Sequence, residues 1–248
     1  MTIRVERAGA VVVVTIDRPE AMNAVDAATA QSLEDAVRSF DSDEDARVLV
    51  LTGAGRTSFC AGADLKALDL MGRPGSTESG PMGISRIEVS KPTIAAIGGY
   101  CYAGGLELAC WCDFRVADVT STFGVLNRRW GVPLIDGGTQ RLPRIVGLGN
   151  ALYLIETGVK IDVDTALRMG LVQEVVPAGR HLERAIELAT HLAAYPQASL
   201  IADRASAISA DGIDAEAKRG EATLADAAMA AGLERFRTGD RPAPPSGA

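Results

Sequence analysis

The stretch GGYCYAGGLELACWC, residues 98–112, decides how the chain folds around its centre. Its small residues up to Gly105 indicate a tight turn that a ligand can approach closely, and the apolar run predicts a helix over residues 104–112. Glu107 lies inside that apolar run, where a carboxylate is costly unless it is paired or protonated. Because displaced carboxyl pKa values concentrate at working sites, Glu107 is a candidate acid or base. The alternative is a charge interaction with the start of the helix.

A second turn of small residues lies earlier in the chain, in FCAGADLK at residues 59–66. It precedes a predicted helix over residues 64–71, and the alternative is an ordinary tight turn in which Asp64 caps that helix. Unpaired amides at the start of a helix point outward and favour negative charge. Two such turns can each aim one amide at a common point, which is the geometry of an oxyanion hole for a carbonyl oxygen.

Short segments that are apolar and rich in β-branched residues predict buried strands around these turns. The predicted strands are Val11–Ile16, residues 48–52, Thr93–Ile97 and residues 114–117. A helix is predicted over residues 27–40 with Asp26 as its cap, and strands that alternate with helices indicate an α/β sheet with crossover connections. Residues 71–83 are rich in Gly, Pro, Ser and Thr, which predicts a loose loop, a lid or a disordered stretch.

The C-terminal part of the chain has a different pattern. Strand signals end near residue 180, and three helices rich in Ala and Leu are predicted over residues 181–195, 198–210 and 214–231. We therefore expect a core at residues 1–180, a helical subdomain at residues 181–240 and a disordered tail at residues 241–248.

Composition and charge exclude several functional classes. Of the 248 residues, 47% are hydrophobic, which is enough for a large core, whereas 4% aromatic residues and a net charge of −7 argue against nucleic-acid and anionic-membrane partners. The apolar run Val11–Ile16 is too short to cross a membrane, so we expect a cytoplasmic protein. The four cysteines lie in apolar segments without a nearby His, which favours buried reduced thiols over a zinc site or disulfides. The two histidines, His181 and His191, share one late helix, which argues against a Ser-His-Asp triad.

Several segments in the same order resemble one known family. FCAGADLK at residues 59–66, GGYCYAGGLELA at 98–109 and WGVPLIDGGTQRLPRIVG at 130–147 resemble the enoyl-CoA hydratase (crotonase) superfamily, as does DRPEAMNA at 17–24. The similarity extends from about residue 3 to the C-terminal helices. It implies a crotonase-like spiral of ββα units, with C-terminal helices that serve oligomerisation in a homotrimer or a hexamer made of two trimers. It also implies an acyl-CoA thioester substrate, no metal and no separate cofactor.

The resemblance also implies roles for individual residues. The amides of Ala63 and Gly104 match the two oxyanion donors of the family, and Glu107 matches the first of the two glutamates used by hydratases. Ala61 lies where the backbone of relatives contacts the adenine of CoA. Lys66 lies where a basic side chain meets the CoA phosphates.

The second catalytic glutamate of the family is absent from this chain. A gapless alignment places Asn127 at that position, and an amide cannot exchange a proton near neutral pH. Asp136 is a candidate substitute, because acidic groups in this loop serve as acids or bases in some members of the superfamily. The alternative for Asp136 is a cap of the following helix. Asn127 and the nearby Trp130 are expected to contact the substrate.

Three functions remain open at this point. The first is hydration of a 2-enoyl-CoA, in which the oxyanion hole polarises the thioester carbonyl and Glu107 activates water. The second uses the same hole for isomerisation, C–C cleavage, decarboxylation or thioester hydrolysis, and Asn127 favours it. The third is a non-catalytic acyl-CoA-binding protein, against which the predicted burial of Glu107 argues.

Overall fold

The computed structural model describes residues 2–67 and 76–240, which form two sheets flanked by helices. The larger sheet has six strands in the order β1-β2-β3-β5-β7-β10. Its strands are β1 (Ile3–Ala8), β2 (Val11–Ile16), β3 (Val48–Gly53), β5 (Thr93–Ile97), β7 (Phe114–Asp118) and β10 (Glu174–Val176). Only β1 pairs antiparallel with its neighbour in this sheet, so the remaining strands need crossover connections.

The smaller sheet has four short strands in the order β4-β6-β8-β9. They are β4 (Ser58–Cys60), β6 (Tyr100–Tyr102), β8 (Thr122–Gly124) and β9 (Ile161–Asp162). The chain passes from the larger sheet to the smaller one three times, from β3 to β4, from β5 to β6 and from β7 to β8. This repeated passage confirms the spiral of ββα units that the resemblance implies.

Helices cover the sheets and complete the core. In the described part of the first 180 residues the α-helices are α1 (Ala27–Ser42), α2 (Ser76–Ser79), α3 (Gly104–Trp111), α4 (Gly138–Val146), α5 (Leu148–Thr157) and α6 (Val163–Arg168). The predicted cap of α1 is confirmed, because the Asp26 carboxylate accepts a hydrogen bond from the Thr29 amide at 2.8 Å. All four cysteines are buried and free, as expected of reduced thiols in a core.

The larger sheet is buried on both faces. Alternate residues of β2 face opposite sides, so Val12 and Val14 join one cluster while Val11 and Val13 join the other. The second cluster is closed by α7 (His181–Ala194), which presents buried alanines at four-residue spacing. Helix α7 therefore packs directly on the sheet, although it follows the predicted boundary at residue 180. That boundary itself stays a prediction.

The last three helices extend beyond this core. They are α8 (Gln197–Ser209), α9 (Ile213–Thr223) and α10 (Ala227–Thr238), and none of them contains a buried residue. Arg204 connects α8 to the core through a two-point ion pair with Asp113, at 2.8 and 2.9 Å. The prediction of a single helix over residues 214–231 is wrong, because α9 ends at Thr223 and a separate helix, α10, begins at Ala227. Asp226 caps α10 by accepting a hydrogen bond from the Ala228 amide at 2.7 Å.

Two other predictions need correction. The described start of the helix predicted over residues 64–71 is a turn, in which the Ala67 amide donates to the Asp64 carbonyl at 3.0 Å; residues 68–71 lie outside the described residues. The loop predicted over residues 71–83 is not loose where the structure describes it, because α2 begins at Ser76 and residues 79–83 are buried. The predicted disordered tail, residues 241–248, lies outside the described residues. Among the described helices, none has both the length and the apolar character needed to cross a bilayer.

Candidate active site

The two glycine turns meet in the structure. Gly62 has a φ of +103°, and a Cβ built on it would lie only 3.0 Å from the Gly104 nitrogen. A Cβ on Gly104 would in turn lie 3.5 Å from the Ala63 nitrogen. The amides of Ala63 and Gly104 therefore lie close together, and only a glycine at position 62 allows this approach.

Neither of these two amides donates a hydrogen bond to any residue that the structure describes, although the adjacent amides of Asp64 and Ala103 are paired. On the first turn, the Val25 amide donates to the Gly62 carbonyl at 2.9 Å and the Asp64 amide donates to the Val25 carbonyl at 2.8 Å. These bonds fix the turn and leave the Ala63 N–H between them unused. Two unused donors side by side are suited to one negatively charged oxygen.

The second turn is held in a strained conformation. Ala103 connects β6 to α3 with φ 51° and ψ −123°, a backbone region that residues with a side chain rarely adopt. Such strain costs about 1–3 kcal/mol and persists where the surroundings enforce it. Here the Ala103 amide donates to the Gly124 carbonyl of the adjacent strand β8 at 3.0 Å. Ala103 directly precedes Gly104, the first residue of α3, and its conformation therefore sets the direction of the free Gly104 amide.

Glu107 lies in the first turn of α3 and is only 4% exposed. Its Oε1 accepts hydrogen bonds from the amides of Asp136 and Gly138, at 2.9 and 2.8 Å. Burial raises the pKa of Glu107 to about 7, and the nearby Asp136 carboxylate acts in the same direction, while the Gly138 amide partly offsets both effects. A carboxyl that titrates near neutral pH can both accept and return a proton.

The approach of α4 to Glu107 depends on a glycine. A Cβ on Gly138 would lie 2.9 Å from both Cγ and Oε1 of Glu107, so a larger residue would push the carboxyl away. Glu107 Oε2 accepts no hydrogen bond from a described residue. One oxygen is therefore anchored by two amides, and the other is free to exchange a proton.

Asp136 is the second buried carboxyl of the site, at 3% exposure. It does not cap α4: the cap position is Gly137, and no side chain bonds to the start of that helix. Instead, Asp136 Oδ1 accepts hydrogen bonds from the Met82 amide at 3.0 Å and from the Ser85 hydroxyl. Burial raises the pKa of Asp136, and the bonds from Ser85 and Met82 act against that rise. The capping alternative for Asp136 is therefore wrong.

Asn127 lies in the 3-10 helix Leu126–Trp130 and is 8% exposed. Its Nδ2 donates to the Val132 carbonyl at 2.7 Å, and its own backbone carbonyl accepts from the Val132 amide at 3.2 Å. Among the described residues, Asn127 Oδ1 is the one side-chain N or O atom that is both inaccessible to solvent and without a hydrogen-bond partner. A flipped amide would place two acceptors 2.7 Å apart, so the bond to Val132 fixes which atom is unpaired.

No described hydrogen bond joins the side chains of the other predicted contact residues to Glu107 or Asp136. Ala61 is half-buried, and its amide donates to the Met22 carbonyl at 3.1 Å. Lys66 is exposed on the first turn, and Trp130 is 73% exposed on the surface. The expected contacts of these three residues with CoA or substrate stay predictions.

Sequence reasoning missed three residues of the site: Met82, Ser85 and Arg141. Met82 lies in the segment predicted to be loose and Ser85 lies two residues beyond it, and both contact Asp136 across more than fifty positions of sequence. Arg141, on α4, donates to the carbonyls of Asp136 and Ser85 at 3.1 and 2.6 Å. The small residues around Met82 were visible in the sequence, but nothing local indicated their partner.

Comparison with known proteins agrees with this geometry. A family model described as Enoyl-CoA hydratase/isomerase matches residues 6–236. Short-chain-enoyl-CoA hydratase of Clostridium acetobutylicum is 39% identical over 191 residues, which cover 75% of this chain and 73% of that protein. Crotonyl-CoA hydratase of Syntrophomonas wolfei is 35% identical over 229 residues, which cover 91% of this chain and 87% of that protein.

Solved structures give the same answer. The crystal structure of enoyl-CoA hydratase from Mycobacterium tuberculosis H37Rv matches with a TM-score of 0.89 at 32% identity, and the match covers 98% of each chain. The family match spans most of the sequence, and the structural match spans nearly all of it. The chain therefore belongs to the enoyl-CoA hydratase/isomerase family.

Proposed function

We propose that the protein is an enoyl-CoA hydratase that adds water to a 2-enoyl-CoA. The single observation that carries this proposal is the pair of unused amides at Ala63 and Gly104 beside a site that holds the buried carboxyl Glu107. The two N–H groups would bind the thioester oxygen, which gains negative charge when water adds to the conjugated double bond. The names of the hydratases from Clostridium acetobutylicum and Syntrophomonas wolfei support the same reaction.

The reaction needs two proton transfers. Glu107 takes a proton from water as the oxygen bonds to C3, and the electrons of the double bond move to the thioester oxygen as an enolate. C2 then takes a proton from a carboxyl, and the product is a 3-hydroxyacyl-CoA. We assign this second step to Asp136, because it is buried, its pKa is raised, and its Oδ2 accepts no bond from a described residue. Asn127 has no proton to give near neutral pH.

Isomerisation of the double bond is the second candidate, and Asn127 is the observation that favours it. Moving a double bond requires removal of one proton and return of one proton, which a single carboxyl such as Glu107 can perform. Hydration adds the mass of one water to the substrate, whereas isomerisation leaves the mass unchanged. A panel of 2-enoyl- and 3-enoyl-CoA thioesters followed by mass spectrometry separates the two. Rapid isomerisation without hydration would contradict the first proposal.

The substrate and the assembly complete the proposal. The acyl-CoA brings its own coenzyme, so we expect no separate cofactor, and we assign the CoA phosphates to Lys66. We also propose a homotrimer or a hexamer, because α8, α9 and α10 lack buried residues and expose apolar side chains such as Ile213 and Phe236. Four buried thiols that remain unpaired fit a reducing compartment, and we therefore assign the protein to the cytoplasm. Light scattering coupled to size exclusion tests the assembly, and a monomer would contradict it.

A further inference from the structure

The segment from Gly80 to Ser85 contacts both halves of the site. The Met82 amide donates to Asp136 Oδ1 at 3.0 Å, and the Ser85 hydroxyl donates to the same oxygen. The side chain of Met82 reaches the other half, since its Cε and Sδ lie 3.1 Å from the position of a Cβ on Gly104. Residues 80–85 take part in no proposed chemical step, yet they contact both Gly104, a proposed oxyanion donor, and Asp136, the proposed acid.

Arg141 fastens this segment to the loop that carries Asp136. Its Nη1 donates to the Asp136 carbonyl at 3.1 Å and its Nη2 donates to the Ser85 carbonyl at 2.6 Å. Gly137, with a φ of +92°, leaves room for the guanidinium, because a Cβ there would lie 2.1 Å from Nη1. One planar side chain thus fixes the distance between the backbones of Ser85 and Asp136.

A carboxyl held by a single donor can still turn about its Cβ–Cγ bond, and the broad two-fold torsion of Asp lets its oxygens exchange places. Two donors on Oδ1, one from the Met82 backbone and one from the Ser85 hydroxyl, remove that freedom. Gly80 leaves room for the hydroxyl, since a Cβ at that position would lie 1.9 Å from Ser85 Oγ. Asp136 Oδ2 is then the oxygen that carries the exchangeable proton.

We propose that Ser85 is a positioning residue, which together with Arg141 holds the Asp136 carboxyl so that Oδ2 faces the acyl group. This inference rests on the proposed function only in the role that it gives to Asp136. A hydroxyl that donates to the ionised carboxyl favours that form, so losing it raises the pKa of Asp136. The other charged or titratable groups that act on Asp136 are Glu107 from α3, Arg141 from α4 and Arg86 beside Ser85.

The experiment compares Ser85→Ala and Ser85→Cys with the wild type. The Cys variant keeps the shape of the side chain but donates only weakly, so it is the test if the Ala variant does not fold. Ser90→Ala is the matched control, because Ser90 also donates to an aspartate, Asp41, at 3.0 Å but on the exposed surface. Crotonyl-CoA hydration is measured across pH, and Asp136 is titrated by carbon NMR of labelled aspartate, with Asp136→Asn used to assign its signal.

We expect kcat of both Ser85 variants to fall about 10- to 100-fold, as for a reacting group misplaced by up to 1 Å, while KM changes little. The limb of the pH profile of kcat that belongs to Asp136 should move to higher pH, and so should the NMR titration of Asp136. The Ser90→Ala control should have the kcat, the pH profile and the Asp136 titration of the wild type. A wild-type titration of Asp136 in both Ser85 variants would overturn the inference. If the wild type fails to hydrate crotonyl-CoA, the proposed function falls, and the NMR titration alone still decides the role of Ser85.

Discussion

The backbone N–H of Asp136 donates to Oε1 of Glu107 at 2.9 Å, so the residue that bears one buried carboxyl also holds the other in place. The Asp136 carboxylate acts through space in the opposite sense to its own amide, because it raises the pKa of Glu107 while the amide lowers it. A change at Asp136 therefore alters the proton affinity of Glu107.

The first prediction concerns the chemistry of Glu107. Glu107→Gln keeps an oxygen that can accept from the amides of Asp136 and Gly138, so the fold and the affinity for CoA thioesters should persist. The amide cannot carry the proton, and kcat for crotonyl-CoA hydration should fall about 10²- to 10⁴-fold. Steady-state kinetics and calorimetric titration with a saturated acyl-CoA measure the two effects. Turnover at the wild-type rate would make Glu107 structural and leave Asp136 as the leading candidate.

The second prediction concerns stability and pH. Folding raises the pKa of Glu107 from its ordinary 4.5 to about 7, so the folded state binds this proton more tightly than the unfolded state. The resulting stabilisation is complete below pH 4.5 and is lost as the pH rises through about 7. Glu107→Gln removes this dependence. Its free energy of unfolding should exceed that of the wild type by a few kcal/mol above pH 7, since one pKa unit corresponds to about 1.4 kcal/mol.

Urea unfolding of both proteins at a series of pH values measures this difference. Asp136 also has a raised pKa, and it is present in both proteins, so the part of its contribution that does not depend on the charge of Glu107 cancels when one is subtracted from the other. If the difference in free energy of unfolding between variant and wild type stays constant from pH 4.5 to 8, the pKa of Glu107 is not raised by folding.

The third prediction tests the oxyanion donor at the start of α3. Gly104→Pro and Gly104→Ala both add a Cβ, which would lie 3.1 Å from the flexible end of Met82, but only proline removes the N–H. Losing one such donor costs about 10²- to 10³-fold in turnover. We therefore expect the Pro variant to be at least that much slower than the Ala variant. Equal kcat values in two folded variants would remove Gly104 from the oxyanion hole.

The parts of the fold that could be predicted are those with a long local pattern. The β-branched run of β2 and the carboxyl of Glu107 within an apolar helix are visible in single segments of sequence. Strand β6 has three residues, too few for any periodicity, and it was predicted as part of a turn. The bond from Ser85 to Asp136 joins residues 51 positions apart, and no local signal connects them. The break between α9 and α10 was missed because the Ala-rich pattern continues across it, and only the cap at Asp226 marks it.

The fourth prediction concerns the binding of CoA. Lys66 is exposed beside the first turn, and its proposed contact with the CoA phosphates lies far from the reacting carbons. Lys66→Ala should therefore raise KM more than it lowers kcat, as expected when binding is lost equally from substrate and transition state. The effect should be larger at low than at high salt, because an exposed charge contact is screened. Lys218→Ala, on the exposed α9, is the control, and an effect of Lys66→Ala that does not depend on salt would indicate packing by its stem instead.

The last prediction concerns Asn127, whose replacement breaks a hydrogen bond that the sequence did not reveal. Its Nδ2 bond to the Val132 carbonyl closes the loop that leads to Asp136, and a carboxylate cannot make that bond. Asn127→Glu should therefore lower the stability of the protein while it supplies a second proton donor. One general acid typically contributes about 10²- to 10⁴-fold to the rate. The increase in the rate of crotonyl-CoA hydration should be smaller than this, because the loop without its hydrogen bond does not hold the new carboxyl firmly.

Asn127→Gln is the matched control for this variant, since it has the same length and no exchangeable proton. Hydration should rise in the Glu variant relative to the Gln variant, and the double variant Asn127→Glu, Asp136→Asn tests whether the two carboxyls can replace each other. If they can, the double variant keeps most of the activity that Asp136→Asn alone loses. If Asp136→Asn alone is as active as the wild type, Asp136 gives no proton to C2, and Glu107 must perform both transfers by returning to C2 the proton that it took from water.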